Sequence, residues 1–125
     1  PGELIKMIKK YKINVGTNYM LGFPDETRKE VEETVKFAKK MQAYGLDHSN
    51  FYLVMPVPGT PMFDYCIKNK HLPLDYNPDR FQWTKANLKN TEISPAELEK
   101  IRDYAWESCN NEEFKNLRKS WAVGK

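Results

Sequence analysis

The residues that stand out in this sequence shape the backbone; none forms an obvious acid, base or nucleophile set. Two segments matter, Gly22-Phe23-Pro24-Asp25-Glu26-Thr27 and Pro56-Val57-Pro58-Gly59-Thr60-Pro61, and each closes an apolar run. Gly22 has no Cβ, so backbone or ligand can approach it closely. Pro24 fixes φ and stiffens the exit from the run. Pro56, Pro58 and Gly59 would hold the second segment in one shape, so that its carbonyl and N–H groups can meet a planar ligand edge-on. A helix starting at Asp25 and Glu26 offers unpaired N–H groups in a negative setting, which suits an amine or a hydroxyl better than an anion. Taken alone, each segment is either a stiff strand-to-helix turn or part of a binding rim, and the turn is the simpler reading.

Other chemistry is poorly provided for. Cys66 and Cys109 are far apart and lie in no CxxC or CxxxCxxC pattern, so a reduced pair is expected over a disulfide. His48 and His71 have no partners at metal-ligand spacing, and no metal site and no catalytic set can be read from the chain. His48 reads as a satisfied polar residue opening a strand. Glu26 and Asp64 would pair as carboxylates only if the fold brought them together. Tyr19, Phe51 and Tyr52 read as core.

Composition sets the class. The chain has 125 residues, 40% hydrophobic and 30% charged, enough for one domain with a core. A net charge of +3 from 20 basic and 17 acidic residues gives no strong attraction to nucleic acid or membrane. The apolar runs fall well short of the roughly 20 residues that span a bilayer. The first residues, PGELIKMIKK, lack the pattern of a secretory signal. A cytoplasmic protein is expected.

The elements that must position the two segments follow from periodicity. Residues 3–11 form an amphipathic helix with Leu4, Ile5 and Ile8 on one side. Residues 13–22 read as a buried strand. Thr27 and Glu30 form a capping box for a helix over 26–44, with Val31, Val35, Ala38 and Met41 inward and Gly45 as its terminator. A second strand spans 48–55, a short helix 62–69, and a loop 71–80. Residues 80–88 are ambiguous between strand and loop. Ser94, Pro95 and Glu97 open a helix to about 109 with Leu98, Ile101, Tyr104 and Ala105 inward. Asn110-Asn111 breaks it, and a last helix, about 111–121, carries Phe114, Leu117 and Trp121. Two strands joined by a helix should be parallel with a right-handed crossover. Both special segments then sit past the carboxyl ends of strands, where α/β folds bind ligands. Two parallel strands are few for a complete sheet, so the chain reads as a slice of a larger α/β sheet or barrel.

At these residues a family resemblance becomes specific. YMLGFPDET, an amphipathic helix, and then FYLVMPVPGTPMFD resemble the carboxyl-terminal part of a radical S-adenosylmethionine (radical SAM) barrel, nearest to its cobalamin-binding and methylthiotransferase-like branches. In that family a strand ending G-F-P-G-E-T precedes a helix, and the next strand ends in a P-x-P-G-T-P-like turn. The resemblance covers roughly residues 1–70; 71–125 would be a proline-rich loop and a helical extension. It implies a C-terminal slice of a partial (β/α)6 TIM-like barrel. In the full-length parent it implies a [4Fe–4S] cluster that cleaves S-adenosylmethionine to a 5′-deoxyadenosyl radical, for methyl or methylthio transfer, and allows a cobalamin. By the resemblance, Met20, Gly22, Phe23 and Pro24 would lie on the cofactor's adenine side, and Val54, Met55 and Pro56 against the adenine edge. Asp25 departs from the family's glycine. The cluster cysteines are absent, so this chain would be inactive alone, and its partner would be the missing N-terminal part of the barrel. The alternative is a stand-alone βαβ binding module that self-associates through exposed edges of 13–22 or 48–55.

Overall fold

A computed structural model describes residues 1–123. Its element order is α1 (Gly2–Lys10), β1 (Gly16–Leu21), α2 (Arg28–Gln42), β2 (His48–Leu53), α3 (Pro61–Lys68), a 3-10 turn (Pro78–Arg80), α4 (Pro95–Cys109) and α5 (Glu112–Val123). The fold is α/β. Among the described residues the sheet has two strands, β1 and β2, paired in parallel with Gly16 opposite His48 and Leu21 opposite Leu53. The final two residues of the C-terminal segment lie outside the described ones.

Local chemistry fixes the helix starts. Thr27 Oγ1 accepts from Glu30 N at 3.3 Å and Glu30 Oε2 accepts from Thr27 N at 2.8 Å, a reciprocal capping box. Thr60 caps α3 at Phe63 N, with Pro61 in the first turn. Ser94 caps α4 at Glu97 N, but no reciprocal bond returns from the Glu97 side chain to the Ser94 N–H. The Glu97 carboxylate turns instead to Arg28 of α2. Of the two asparagines that end α4, Asn111 caps α5 by accepting from Phe114 N at 2.8 Å.

Both strands are shorter than their apolar runs. Residues 13–15 lead into β1 as coil, and Val54 and Met55 lie just beyond β2. The stretch 80–88 is a loop; one backbone bond, Leu53 N to Trp83 O at 2.8 Å, ties it to the sheet. Strand alternation sends Tyr19, Leu21, Phe51 and Leu53 to one face. There they meet Val31, Val35 and Ala38 of α2 and Leu98, Ala105 and Cys109 of α4 in the main core. Tyr19 stacks on Phe51 with ring centroids 5.0 Å apart. Tyr52, expected in the core with its neighbour Phe51, points to the other face, as period-two alternation requires, and meets Trp83 edge-on. Tyr104 is also turned outward, 57% exposed, where its hydroxyl accepts from Lys39 Nζ at 2.6 Å. Leu4, Leu117 and Trp121 are exposed as well, although helical periodicity placed them on apolar faces.

Two smaller clusters complete the packing. Ile5, Met41 and Leu46 hold α1 against α2, and Val54, Cys66 and Leu88 hold α3 against the loop that follows it. Both cysteines are free and buried, and burial pushes both thiols above their ordinary pKa. The reduced pair expected from the spacing is what the fold contains. No helix among the described residues is long and apolar enough to cross a membrane.

Candidate functional site

The two special segments meet. Val54 N donates to Leu21 O at 3.0 Å, one step past the last strand pair, so the exits of β1 and β2 leave the sheet side by side. Gly22 turns the first exit with φ +90°, a left-handed value that side chains rarely adopt. Its missing Cβ matters too: a Cβ there would stand 2.5 Å from Leu98 Cδ2 of α4. The Gly22 N–H donates to Glu26 Oε1 at 2.8 Å, which ties the turn to the residue just before the helix cap. Burial, and then Glu30 nearby, push the Glu26 carboxyl above its ordinary value, against the pull of the Gly22 and Phe23 N–H groups.

Each expected site residue has a definite place. Gly22, Pro24, Val54 and Pro56 are buried, and the Val54 side chain belongs to the third cluster. Met20 is 45% exposed on the face away from the helices, and Phe23 is 40% exposed at the rim. The backbone of 54–56 is partly spoken for: Asn87 Nδ2 donates to Val54 O at 3.3 Å and Tyr76 Oη to Pro56 O at 3.2 Å. Among the described residues nothing bonds the Met55 N–H or C=O. Within 54–56, the Met55 N–H and C=O are what the backbone has left to offer a ligand edge.

The sheet face away from α2 and α4 carries Gly16, Asn18 and Met20 of β1 opposite His48, Asn50 and Tyr52 of β2, with α5 reaching its His48 end. It bears no carboxylate, lysine or arginine. Asn50 Nδ2 donates to Asn18 Oδ1 at 3.1 Å across the strands, which leaves further amide donors and an acceptor for a neutral polar ligand. His48 lies over Gly16, where a Cβ would collide with its ring, and stacks on Phe114 of α5 at 5.0 Å. It is thus a packed residue. The asparagine pair was not singled out from the sequence; Trp83, which reads there as a core or interface anchor, packs on Tyr52. Alternation held the signal, since Asn18 and Asn50 fall out of phase with Tyr19 and Phe51.

A second concavity, a cleft of about 940 Å³, lies outside the rim between α2 and α3, lined by Phe23, Pro24, Asp25, Phe37, Met62 and Tyr65 among others. Asp25 accepts a hydrogen bond from the Tyr65 hydroxyl and so pins α3 to the first turn. The carboxylate pushes the Tyr65 pKa up. Asp64 is exposed on α3 and does not line this cleft with Glu26, so the suggested carboxylate pair does not form. No three His, Cys, Asp or Glu side chains among the described residues are grouped to hold a metal ion.

No family model matches the chain, and no solved structure matches it. Curated sequences do. Over 70 residues, 56% of the chain, it is 41% identical to an uncharacterised methyltransferase of Pyrococcus horikoshii, of which this stretch covers 15%. Over 65 residues, half of the chain, it is 33% identical to the tRNA-2-methylthio-N(6)-dimethylallyladenosine synthase of Vibrio campbellii, covering 13% of it. The synthase of the same name from Wolbachia pipientis wMel is 39% identical over 64 residues, 47% of the chain and again 13% of that protein. The chain therefore spans well under a fifth of the length of these relatives, and about half of it is similar to methyltransferase and methylthiolating proteins.

Proposed function

We propose that this chain is the carboxyl-terminal wall of a radical SAM barrel, supplying one side of an S-adenosylmethionine pocket in a methyl- or methylthio-transferring enzyme. The observation that carries the reading is the pairing of two strand exits, Gly22–Pro24 and Val54–Pro56, beside an open and uncharged sheet face. The partial similarity to a methyltransferase and to tRNA methylthiolating synthases supports it. The unpaired Met55 peptide would meet the adenine edge, Met20 and Tyr52 would pack against the nucleoside, and Asn18 with Asn50 would receive its hydroxyls. Bound S-adenosylmethionine would supply the transferable group or the radical precursor. An iron–sulfur cluster does not fit the residues present; under this reading its ligands, and any cobalamin site, belong to other parts of the parent.

The test uses the full parent polypeptide, prepared anaerobically and reconstituted with iron and sulfide. It should turn brown and bind S-adenosylmethionine. Met55→Pro, which deletes one N–H, should weaken that binding by about tenfold, the worth of one hydrogen bond. A parent that stays colourless, or binds the cofactor equally well with and without the Met55 N–H, overturns the reading. A second reading, a self-associating βαβ module, is favoured by one observation: among the described residues, no partner bonds the outward backbone groups of β1.

A further inference from the structure

α2 stands between two clefts and sorts its charge between them. One flank faces α4, which is fastened along the outer border of β2. Asn110 Oδ1 accepts from Ser49 N and Asn110 Nδ2 donates to Ser49 O, both at 2.8 Å. Arg102 Nε donates to Phe51 O at 3.0 Å, and next along the border Leu53 N donates to Trp83 O at 2.8 Å. Buried Asn110 thus offers the donor and acceptor that one residue of a neighbouring strand would offer, and this edge of the sheet is finished. The cleft on that flank is lined by Arg28, Lys36 and Lys39 of α2 and Lys100 of α4. Its two carboxylates, Glu32 and Glu97, both pair with Arg28.

The other flank has the opposite sign. Glu30, Glu33, Thr34 and Phe37 fall at i, i+3, i+4 and i+7, one stripe of a helix, and line the cleft of about 940 Å³ toward α3. That cleft gathers four carboxylates, from Asp25, Glu26, Glu30 and Glu33, and no lysine, arginine or histidine. The bonds they accept come from neutral donors: Asp25 from the Tyr65 hydroxyl, Glu26 from the Gly22 N–H, and Glu30 from Thr27. Among the described residues no ion pair reaches any of the four. Their charge is uncompensated, in a chain whose net charge is +3. Between them lies apolar surface. Phe23, Phe37 and Tyr65 each expose more than a third of their area, with Met62 beside them. An exposed apolar patch with a charged rim marks an interaction surface.

Sign and shape together name the occupant. Carboxylates repel nucleic-acid phosphate and anionic lipid and attract lysine and arginine. Aromatic faces hold alkyl side chains and cationic heads alike. A groove walled by two helices takes a third through its apolar stripe, with anchors one turn apart. We propose that this groove docks a basic amphipathic helix of a partner protein, its apolar stripe on Phe23, Phe37 and Tyr65 and its lysines or arginines against Glu26, Glu30 and Glu33. A second copy of the chain is a poorer fit. Its helices α1 and α5 open with carboxylates, Glu3 and then Glu112 with Glu113, and Lys115 of α5 is held by Glu107 and Glu112. The proposal rests on the outer face of α2, so it stands or falls separately from the cofactor reading.

Synthetic peptides test it, with binding read by fluorescence anisotropy and induced helix by circular dichroism. One peptide carries leucines at i, i+3, i+4 and i+7 flanked by lysines. A second has glutamates in place of the lysines, and a third keeps the lysines but scrambles the leucines. The first should bind the 125-residue chain and the parent polypeptide and gain helix on binding; the other two should bind about tenfold more weakly or not at all. Glu33 and Phe37 are exposed, so substituting them leaves the core untouched. Glu33→Lys and Phe37→Ala should each weaken the first peptide about tenfold. Lys36→Glu, on the opposite flank, should not weaken it. The proposal is overturned if the first peptide fails to bind or binds no better than the other two, or if Glu33→Lys and Phe37→Ala bind it as well as the unsubstituted chain. It is also overturned if the parent excludes the peptide because its own chain fills the groove, or if rising protein concentration displaces the peptide, which would make a second copy the occupant.

Discussion

At the scale of single residues, two positions carry more than their size suggests. Gly22 combines a φ of +90° with a wall formed by Leu98. Gly22→Ala should therefore cost about 2 kcal/mol or more in urea denaturation, from backbone strain plus the clash. Asn110 makes three hydrogen bonds with its side chain, to Ser49 N, Ser49 O and Trp106 O. Asn110→Asp keeps the acceptor but strands two buried carbonyls, and should cost about 3 kcal/mol by the same assay. A variant as stable as the parent chain would remove Asn110 from its role at the sheet edge. The sequence displayed these two residues unequally. Gly22 between an apolar run and a proline announces a turn. Asn110 reads only as a helix breaker, because its partner Ser49 lies far away in the chain and no local pattern connects them.

At the scale of elements, the capped helices were legible and the strand limits were not. Thr27, Thr60 and Ser94 mark helix starts by local hydrogen bonds, which sequence displays directly. Strand limits depend on which residues find a partner, so the apolar run 13–22 contracts to Gly16–Leu21 when β2 offers six partners. Tyr104 shows the same limit on a helix. It has inward spacing, yet it lies out beside Lys39, which holds its hydroxyl pKa below the ordinary value. One joint between elements is electrostatic. Asp47, just before β2, accepts from Lys9 Nζ of α1 at 2.7 Å and from Val15 N at 2.7 Å. Burial opposes its ionisation, but the Lys9 and Val15 bonds, with Lys9 and His48 charge, outweigh it and hold the carboxyl below its ordinary value of 3.8. A lowered carboxyl pKa stabilises the fold above the ordinary value, and that support is lost as pH falls through the folded one. Acid should therefore loosen α1 first, seen as early exchange at Ile5 and Ile8. Asp47→Asn should abolish this acid step and cost about 1 kcal/mol at neutral pH. Glu26 works the other way. Its raised pKa disfavours the ionised form in the fold, so its contribution is greatest below its ordinary value of 4.5 and declines as pH rises through the raised value. Glu26→Gln should flatten that decline, measured as melting temperature against pH.

At the scale of the whole molecule, the sheet is covered by α2 and α4 on one face, touched by α5 only at His48 on the other, and finished on one edge. Parallel sheets are ordinarily covered on both faces, so the uncovered face with Asn18, Asn50, Met20 and Tyr52 belongs to a larger enclosure under the barrel reading. The motif pair that signalled the resemblance lies at the rim of that face, which is why the rim was more visible in sequence than the surface beneath it. Polar residues in a strand advertise nothing until alternation fixes their side. For the 125-residue chain alone, sedimentation at high concentration should reveal association through the β1 edge. Met20→Pro, which removes an outward N–H from an edge strand, should return the chain to monomer; unchanged association in that variant would place the contact elsewhere.

The Asn110 contact also has a consequence in time. The ribosome releases β2 long before residue 110, so throughout synthesis of the stretch between them the two-stranded sheet has two unprotected borders instead of one. A nascent chain in that interval resembles the edge-exposed species from which cross-β stacks start. A deletion after residue 70 would make the interval permanent. It would keep both strands and both turns yet yield deposits instead of a folded domain. The helical tail, which reaches the strand-end rim through Leu98 against Gly22, is then also what makes the rim manufacturable.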